Sequence, residues 1–212
     1  MARLDAVRRF RSMSPKERTV SLAEFPARFG ENRQPSTTYL LFPKVSSERR
    51  QYLPIGFLDP SIIVSGSALV IPDATPWHFG ILQSRMHMAW MRQVCGRMKS
   101  DYQYSNTIVY NNFPWPQGAT DEPRAKVEAC AQAVLAAREQ FPGSTLADLY
   151  DPVAMPPTLA KAHADLDRAV DRCYRKENFL TDRQRVEFLF ALYEQLAAPL
   201  AGSVAKRQRA KD

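Results

Sequence analysis

The stretch TPWHFGILQSRMHMAWMRQVCG, Thr75 to Gly96, decides most of the fold. Thr75 followed by Pro76 is a helix-start signal, because threonine caps a first turn and proline at the first position loses no hydrogen bond. The residues that follow are apolar on most helical faces, as in a helix buried all round. Gly96 is the expected stop. The stretch therefore predicts one long buried helix as the spine of the protein.

Short apolar runs precede this helix and are typical of strands. They are TYLLFP (38–43), RRQYLPIGFL (49–58) and SALVIP (67–72), each bounded by Pro, Gly, Ser or Asp. They predict a small mixed or antiparallel sheet that packs on the long helix. Further upstream, Leu4 to Met13 predicts a basic helix that leads into this region.

The segment NNFPWPQGATDEP, residues 111–123, is the clearest boundary, and the chain after it is helical by pattern. We expect an α+β fold with a sheet-and-helix domain at 1–116, an all-α domain at 117–205 and a charged tail at 206–212. A rigid turn should leave the first domain, and its predicted residues are Asn111, Asn112, Pro114, Trp115 and Pro116.

Positive charge is concentrated in the first half of the chain. Residues 1–117 contain 15 Lys and Arg against 8 Asp and Glu, whereas residues 118–212 contain 14 of each. A basic half beside a neutral half predicts one part that meets a polyanion and one that does not. A charge fluctuation without consequence is the alternative.

Motifs of catalysis are missing from the sequence. It has no glycine-rich phosphate loop, no HExxH and no GxSxG. Asp167 and Asp171 are interpreted as part of a solvated helix face, interleaved with arginines. The three cysteines match no zinc spacing, which predicts no metal site and reduced thiols. No signal peptide or membrane span is apparent, so we expect a cytoplasmic protein without its own catalysis.

The run GRMKSDYQY, residues 96–104, has the composition of a reading edge. If it is extended after Gly96, Arg97, Lys99, Asp101 and Gln103 point one way, with Ser100 between the two charges. A lysine donates to guanine O6 and N7, and an aspartate accepts from the cytosine amine. Lys99 and Asp101 could thus read one G·C pair. The alternative is an exposed ion pair on an edge strand.

Three blocks together resemble the C-terminal part of the Mme-type family of type IIG/IIL restriction–modification enzymes. They are SSERRQYLPIGFL, DATPWHFGILQSRMHMAWMRQVCGRMKSDYQYS and IVYNNFPWP. The resemblance implies a DNA target-recognition domain followed by a helical domain. In that family, the charged residues flanking the serine of the GRxxS block, here Lys99 and Asp101, are associated with the choice of an outer base.

The resemblance also implies partners. Double-stranded DNA and an upstream methyltransferase domain or subunit are expected, and no membrane. The parent enzyme would be an S-adenosylmethionine-dependent N6-adenine methyltransferase, with or without an endonuclease, whereas this sequence lacks the cofactor-binding glycines and should bind no cofactor itself. Phosphate contacts are predicted for five basic residues, Lys44, Arg49, Arg50, Arg85 and Arg92.

Alternatives to these predictions stay open at this point. Arg85 and Arg92 could instead cover the polar stripe of the long helix. The whole chain could be a protein-interaction domain that docks a separate catalytic subunit, or a general RNA-binding protein with a basic face.

Overall fold

The computed structural model describes residues 2–31 and 33–209, with side chains as far as residue 198. The described residues fall into two compact units, one up to Pro35 and one from Ser36 onwards. The predicted charged tail begins within the last helix, which is described to Arg209, and residues 210–212 lie outside the described residues. No helix among the described residues is long and apolar enough to cross a membrane.

The first unit contains helix α1 (Ala2–Ser12), helix α2 (Glu17–Ser21) and a 3₁₀ turn, Leu22–Glu24. The basic helix predicted at its start is confirmed. Arg11 holds this unit together, because its guanidinium donates to the backbone carbonyls of Leu22, Phe25 and Arg28 at 3.0, 2.8 and 2.6 Å. One side chain thus satisfies three acceptors that follow helix α2.

Two small antiparallel sheets open the second unit. The first has the order β3–β1–β4, from strands β1 (Tyr39–Pro43), β3 (Gly56–Leu58) and β4 (Ala68–Pro72). The second has the order β2–β6–β5, from strands β2 (Val45–Ser46), β5 (Gly96–Met98) and β6 (Asp101–Gln103). The predicted antiparallel sheet is confirmed, although only three residues of the run 49–58 are strand.

The predicted long helix is two helices, α3 (Pro76–Leu82) and α4 (Arg85–Val94), and the prediction of one continuous helix is wrong. The break falls at Gln83 and Ser84, both buried. The Ser84 hydroxyl caps α4 by accepting from the His87 amide, and the Gln83 amide donates to the Leu53 carbonyl at 2.8 Å. Two polar side chains bonded to backbone therefore replace a helical turn. Burial of both helices is as predicted.

The C-terminal region is helical, as predicted. Thr120 precedes α5 as its N-cap residue, and the helices are α5 (Asp121–Glu139), α6 (Leu146–Leu149), α7 (Pro157–Tyr174) and α8 (Asp182–Arg209). Helix α3 approaches α5 so closely that a Cβ on Gly80 would lie 2.7 Å from Val127 Cγ1. One hydrophobic core runs from strand residues such as Leu40 to helical residues such as Leu166. The α+β class is therefore built around a shared core.

Candidate nucleic-acid interface

The run predicted to read DNA is a β-hairpin. Strands β5 and β6 pair antiparallel in the register Gly96↔Gln103, Arg97↔Tyr102 and Met98↔Asp101. Lys99 and Ser100 form the two-residue turn between them. Lys99 has φ 56°, and among the described non-glycine residues only Asp73 shares a positive φ. A positive φ at the first turn position alone is the pattern of a type II′ turn, which normally takes glycine there.

The hairpin corrects the predicted arrangement of side chains. Alternation along one continuous strand would put Arg97, Lys99, Asp101 and Gln103 on a single face. In the hairpin, cross-strand partners share a face, so Arg97 lies with Tyr102 and opposite to Asp101. The prediction of a single row is therefore wrong, because a two-residue turn pairs odd-numbered residues with even-numbered ones.

The hairpin tip nevertheless presents the predicted pair. Lys99 and Ser100 are exposed at the turn, and Asp101 is half-buried at the first position of β6. Within the described part of the chain, Lys99 and Asp101 form no ion pair with each other, so the alternative of a mutually satisfied surface pair lacks its contact. The ammonium is left open to an external acceptor, and the carboxylate to an external donor.

Aromatic residues form the back of the hairpin. Tyr102 is buried in the central strand of its sheet, and Tyr104 is buried one residue beyond Gln103. Burial raises the pKa of the Tyr104 hydroxyl, which lies 3.1 Å from His87 Nε2. Both tyrosines therefore pack in the hydrophobic core, and the exposed Gln103 lies between them.

Arg97 is held by three contacts within the protein. Its Nη1 donates to the Ser100 carbonyl at 2.9 Å and lies 3.4 Å from Glu48 Oε2. Its guanidinium carbon lies 4.2 Å from the centre of the Tyr102 ring. Glu48 belongs to the turn after β2, where the Arg50 amide donates to the Ser47 carbonyl. No local pattern could predict the role of Glu48, since it lies 49 residues from Arg97.

Three of the five residues predicted to contact phosphates flank strand β2, which pairs with the hairpin strand β6. Lys44 immediately precedes β2, which pairs with β6, and its ammonium donates to the Gly66 carbonyl at 2.6 Å. Arg49 is exposed on the turn that carries Glu48. Arg50 is half-buried and reaches the Ala147 carbonyl of α6 at 3.5 Å. These residues put positive charge beside the hairpin.

The other two predicted phosphate contacts, Arg85 and Arg92, are engaged inside the protein. Asp182 of α8 accepts from Arg85 Nε at 2.6 Å and from Arg92 Nη1 at 3.2 Å. Arg92 also donates to the Arg50 carbonyl at 3.4 Å. Their charge is thus paired across α4 and α8, which supports the alternative that they serve the helix itself.

The predicted exit turn contacts both sides of the boundary. It follows a π-helical turn, Asn106–Tyr110, whose Thr107 and Ile108 carbonyls accept from the Asn112 amide at 2.9 and 3.0 Å. The Pro114 carbonyl accepts from Tyr174 of α7 at 3.1 Å. The remaining turn residues, Asn111, Trp115 and Pro116, continue this segment, and Trp115 packs against the core.

Helix α7 carries two carboxylates that the sequence pattern predicts in solvent and the structure buries. Asp167 accepts from the Tyr52 hydroxyl and the Arg85 amide, both at 2.7 Å, and Asp171 pairs with Arg185 at 2.5 Å. Both are 8% exposed, so the prediction of a solvated face is wrong. The reason is tertiary, because their partners lie on other elements. Burial raises the pKa of Asp167 to about 6 and that of Tyr52 as well.

Among the described residues, no three His, Cys, Asp or Glu side chains cluster as metal ligands would. The hairpin region has a hydrogen-bond donor and an acceptor at an exposed tip, buried tyrosines behind the tip, and cationic side chains beside it. Such a surface is suited to reading base edges and contacting phosphates.

Two domain families match the chain in sequence. The MmeI target recognition domain matches residues 1–117, and the MmeI C-terminal domain matches residues 119–201. A target-recognition module followed by a helical domain is thus the class of protein that the fold and the hairpin define. The chain belongs to the MmeI target recognition domain family.

Two longer proteins are similar over nearly the whole chain. One is DNA methyltransferase A of Bacillus subtilis (strain 168), 39% identical over 194 residues, which are 92% of this chain and 22% of that protein. The other is a solved structure of the type IIL restriction–modification enzyme MmeI in complex with DNA, 44% identical with a TM-score of 0.84, covering 93% of this chain and 26% of that one. The chain spans about a quarter of the length of these relatives.

Proposed function

We propose that this chain recognises a specific sequence in double-stranded DNA on behalf of a DNA-modifying enzyme. The observation that carries the proposal is the β5–β6 hairpin, whose tip exposes Lys99 beside Asp101 without an ion pair between them in the described chain. A two-stranded ribbon fits the major groove, where G·C presents acceptors on guanine and a donor on cytosine. Membership of the MmeI target recognition domain family supports the same function.

The proposed division of labour separates base reading from phosphate binding. Lys99 and Asp101 read one G·C pair, and the exposed Ser100 and Gln103 adjoin them on the hairpin. Lys44, Arg49 and Arg50 contact phosphates, which fix the register without specifying sequence. We leave Arg85 and Arg92 out of this set because Asp182 already pairs with both.

The proposal is tested by selecting duplexes from a random DNA library with the 212-residue chain. We expect an enriched motif, and the logarithm of the association constant for it should fall linearly with the logarithm of salt concentration. A library of random single-stranded RNA, run in parallel, tests the RNA-binding alternative. Equal enrichment of all duplex sequences, or enrichment in the RNA library alone, would overturn sequence-specific DNA recognition.

Phosphate binding by Arg49 and Arg50 gives the first quantitative prediction. Changing both arginines to alanine should weaken binding to every duplex by a similar factor and lower the magnitude of the salt slope by about two, since each lost phosphate contact accounts for about 0.9. Fluorescence anisotropy at a series of salt concentrations measures both quantities. An unchanged slope would remove these two residues from the interface.

The enzyme served by this module is, we propose, an S-adenosylmethionine-dependent N6-adenine methyltransferase. The name of the Bacillus subtilis relative and the restriction–modification relative support a DNA methyltransferase. The adenine target and the cofactor follow from the family resemblance of the three sequence blocks. In the proposed organisation, residues 1–116 recognise DNA, residues 117–205 form the helical domain, and the cofactor is bound outside this chain. Saturable binding of S-adenosylmethionine to the 212-residue chain in calorimetry would contradict that location.

A further inference from the structure

We propose that Arg97, held by Glu48, is a positioning residue that fixes the reading tip of the hairpin. Arg97 would read no base itself, and it would act through Lys99 and Asp101. This inference rests on the proposed DNA recognition and deepens it, because it identifies what makes the tip selective.

The contacts of Arg97 span the two loops that flank the reading surface. Its Nη1 donates to the carbonyl of Ser100 within the turn, and the same atom approaches the Glu48 carboxylate of the turn after β2. The guanidinium lies over the ring of Tyr102, which is buried in the central strand. Arg97 therefore connects the hairpin tip to the buried Tyr102 ring and to the turn that carries Glu48 and Arg49.

The tip needs such a hold because its backbone is strained. Lys99 occupies a positive φ of 56°, a conformation that side chains other than glycine adopt at a cost. Such a turn persists only where surrounding contacts determine it. The hydrogen bond from the Arg97 side chain to the Ser100 carbonyl is such a contact, and it adds to the backbone pairing of Met98 with Asp101 that closes the turn. Base discrimination depends on where the tip holds its donor and acceptor.

Direct base reading by Arg97 is disfavoured by where its side chain lies. It shares the face of Tyr102 and not that of Asp101 and Gln103. A guanidinium that reads guanine donates from two nitrogens to O6 and N7. In Arg97, Nη1 already donates to the Ser100 carbonyl and to the Glu48 carboxylate. The same contacts reduce its value as a free phosphate contact.

The test compares Arg97→Gln, Arg97→Lys and Glu48→Gln in the 212-residue chain. The readout is the ratio of affinities for the selected duplex and for the same duplex with the G·C pair read by Lys99 and Asp101 inverted. We expect Arg97→Gln to reduce this ratio about tenfold, which is most of the discrimination of one contact pair. Arg97→Lys should recover little, because a lysine has no planar fork, and Glu48→Gln should give an intermediate loss.

A double-variant comparison separates positioning from direct contact. In a chain that already carries Lys99→Ala and Asp101→Ala, adding Arg97→Gln should change discrimination at no base pair by more than about twofold, because nothing is left for Arg97 to position. Arg183→Gln is the matched control for loss of one positive charge, since Arg183 is an exposed residue of α8 that pairs with Glu187. It should leave the ratio unchanged.

Four outcomes would overturn the inference. Loss of discrimination at a different base pair would make Arg97 a base reader. A uniform loss of affinity with a salt slope smaller by about one would make it a phosphate contact. An unaltered ratio in Arg97→Gln would leave it without a role in recognition. A wild-type chain that enriches no duplex motif would refute the proposed function, and the positioning role would fall with it.

Discussion

Lys99 combines a backbone conformation that suits glycine with a side chain that suits guanine. Its φ of 56° lies at the turn position where type II′ hairpins usually have glycine. A lysine there has a conformational cost of about 1 kcal/mol or more. Strained residues of this kind concentrate at functional sites, so the cost itself agrees with a role for the ammonium in binding.

Charge reversal at the tip should change specificity and retain binding. In the double variant Lys99→Glu with Asp101→Arg, an acceptor stands where the donor was and a donor where the acceptor was. The preferred pair should therefore switch from G·C to C·G, with about 1–3 kcal/mol of discrimination at stake. Duplex selection with the variant chain measures the switch. Lys99→Glu alone should bind worse than the double variant, because it sets two carboxylates against the base edges.

Lys99→Gly is the control that separates the fold from the function of this residue. Glycine adopts the positive φ without strain, so the free energy of unfolding should be no lower than in the wild type. Discrimination at the G·C pair should nevertheless be lost. A selected motif that keeps the same base at every position in both variants would show that Lys99 and Asp101 do not read DNA.

Helices α7 and α8 are joined by a buried ion pair. Arg185 donates to both carboxylate oxygens of Asp171 at 3.0 and 2.5 Å, and the two side chains are 6% and 11% exposed. The same arginine lies 3.3 Å from Asp182, and Asp182 also forms ion pairs with Arg85 and Arg92 of α4. The start of α8 thus connects α7 to the helix that leads into the reading hairpin.

Loss of one member of this pair should be costly. Asp171→Ala leaves the Arg185 guanidinium buried without its main partner, and we expect a loss of about 3–5 kcal/mol in the free energy of unfolding. Asp165→Ala on the same helix is the matched control, because Asp165 pairs with Arg168 at the surface and such pairs contribute about 0–1 kcal/mol. Urea unfolding of the two variants measures both values. Equal losses would show that burial does not govern the pair.

At the scale of the whole molecule, buried residues between Leu40 and Leu189 share one core across the boundary predicted at residue 116. Buried residues from both sides, including Phe79, Trp90, Val127 and Leu166, belong to a single hydrophobic cluster. Two fully buried histidines lie in it, and burial lowers the pKa of His87 and of His163 to about 3. His163 Nε2 lies 2.7 Å from the Tyr150 hydroxyl, which also accepts from Arg138.

These histidines should make the fold sensitive to acid. A pKa that folding lowers from 6.5 to about 3 gives stability that is present above pH 6.5 and lost as pH falls towards 3. At pH 5 each histidine should lower the free energy of unfolding by about 2 kcal/mol relative to pH 8. Asp167 acts in the opposite direction, because its raised pKa of about 6 adds about 1 kcal/mol over the same interval. The net expectation is a loss of about 3 kcal/mol.

Urea unfolding at pH 8 and pH 5 tests this expectation, and imidazole resonances followed by NMR identify the groups. The signals of His87 and His163 should show no protonation down to pH 5. Titration of either imidazole near pH 6.5 in the folded protein would contradict its burial as a neutral group.

The sequence by itself determined the local elements and the family. The Thr75–Pro76 signal located the start of α3, short apolar runs located β1 and β4, and the pattern after residue 123 indicated the helical region that contains α5, α7 and α8. These features depend on neighbouring residues, so local pattern suffices to predict them. The resemblance of three blocks identified the family, because a combination of long motifs is specific where composition is not.

Only the tertiary structure decided which side chains meet. The two-residue turn at Lys99 and Ser100 moved Arg97 to the face of Tyr102, and a partner 49 residues away, Glu48, completed its contacts. Gln83 broke the long helix because a carbonyl of Leu53 was there to accept its amide. Asp167 and Asp171 became buried because Tyr52 and Arg185 were brought to them. Hydrogen bonds and ion pairs between distant segments stabilise these arrangements. The order of residues along one helix or strand cannot predict such contacts, because it does not specify which distant segments meet.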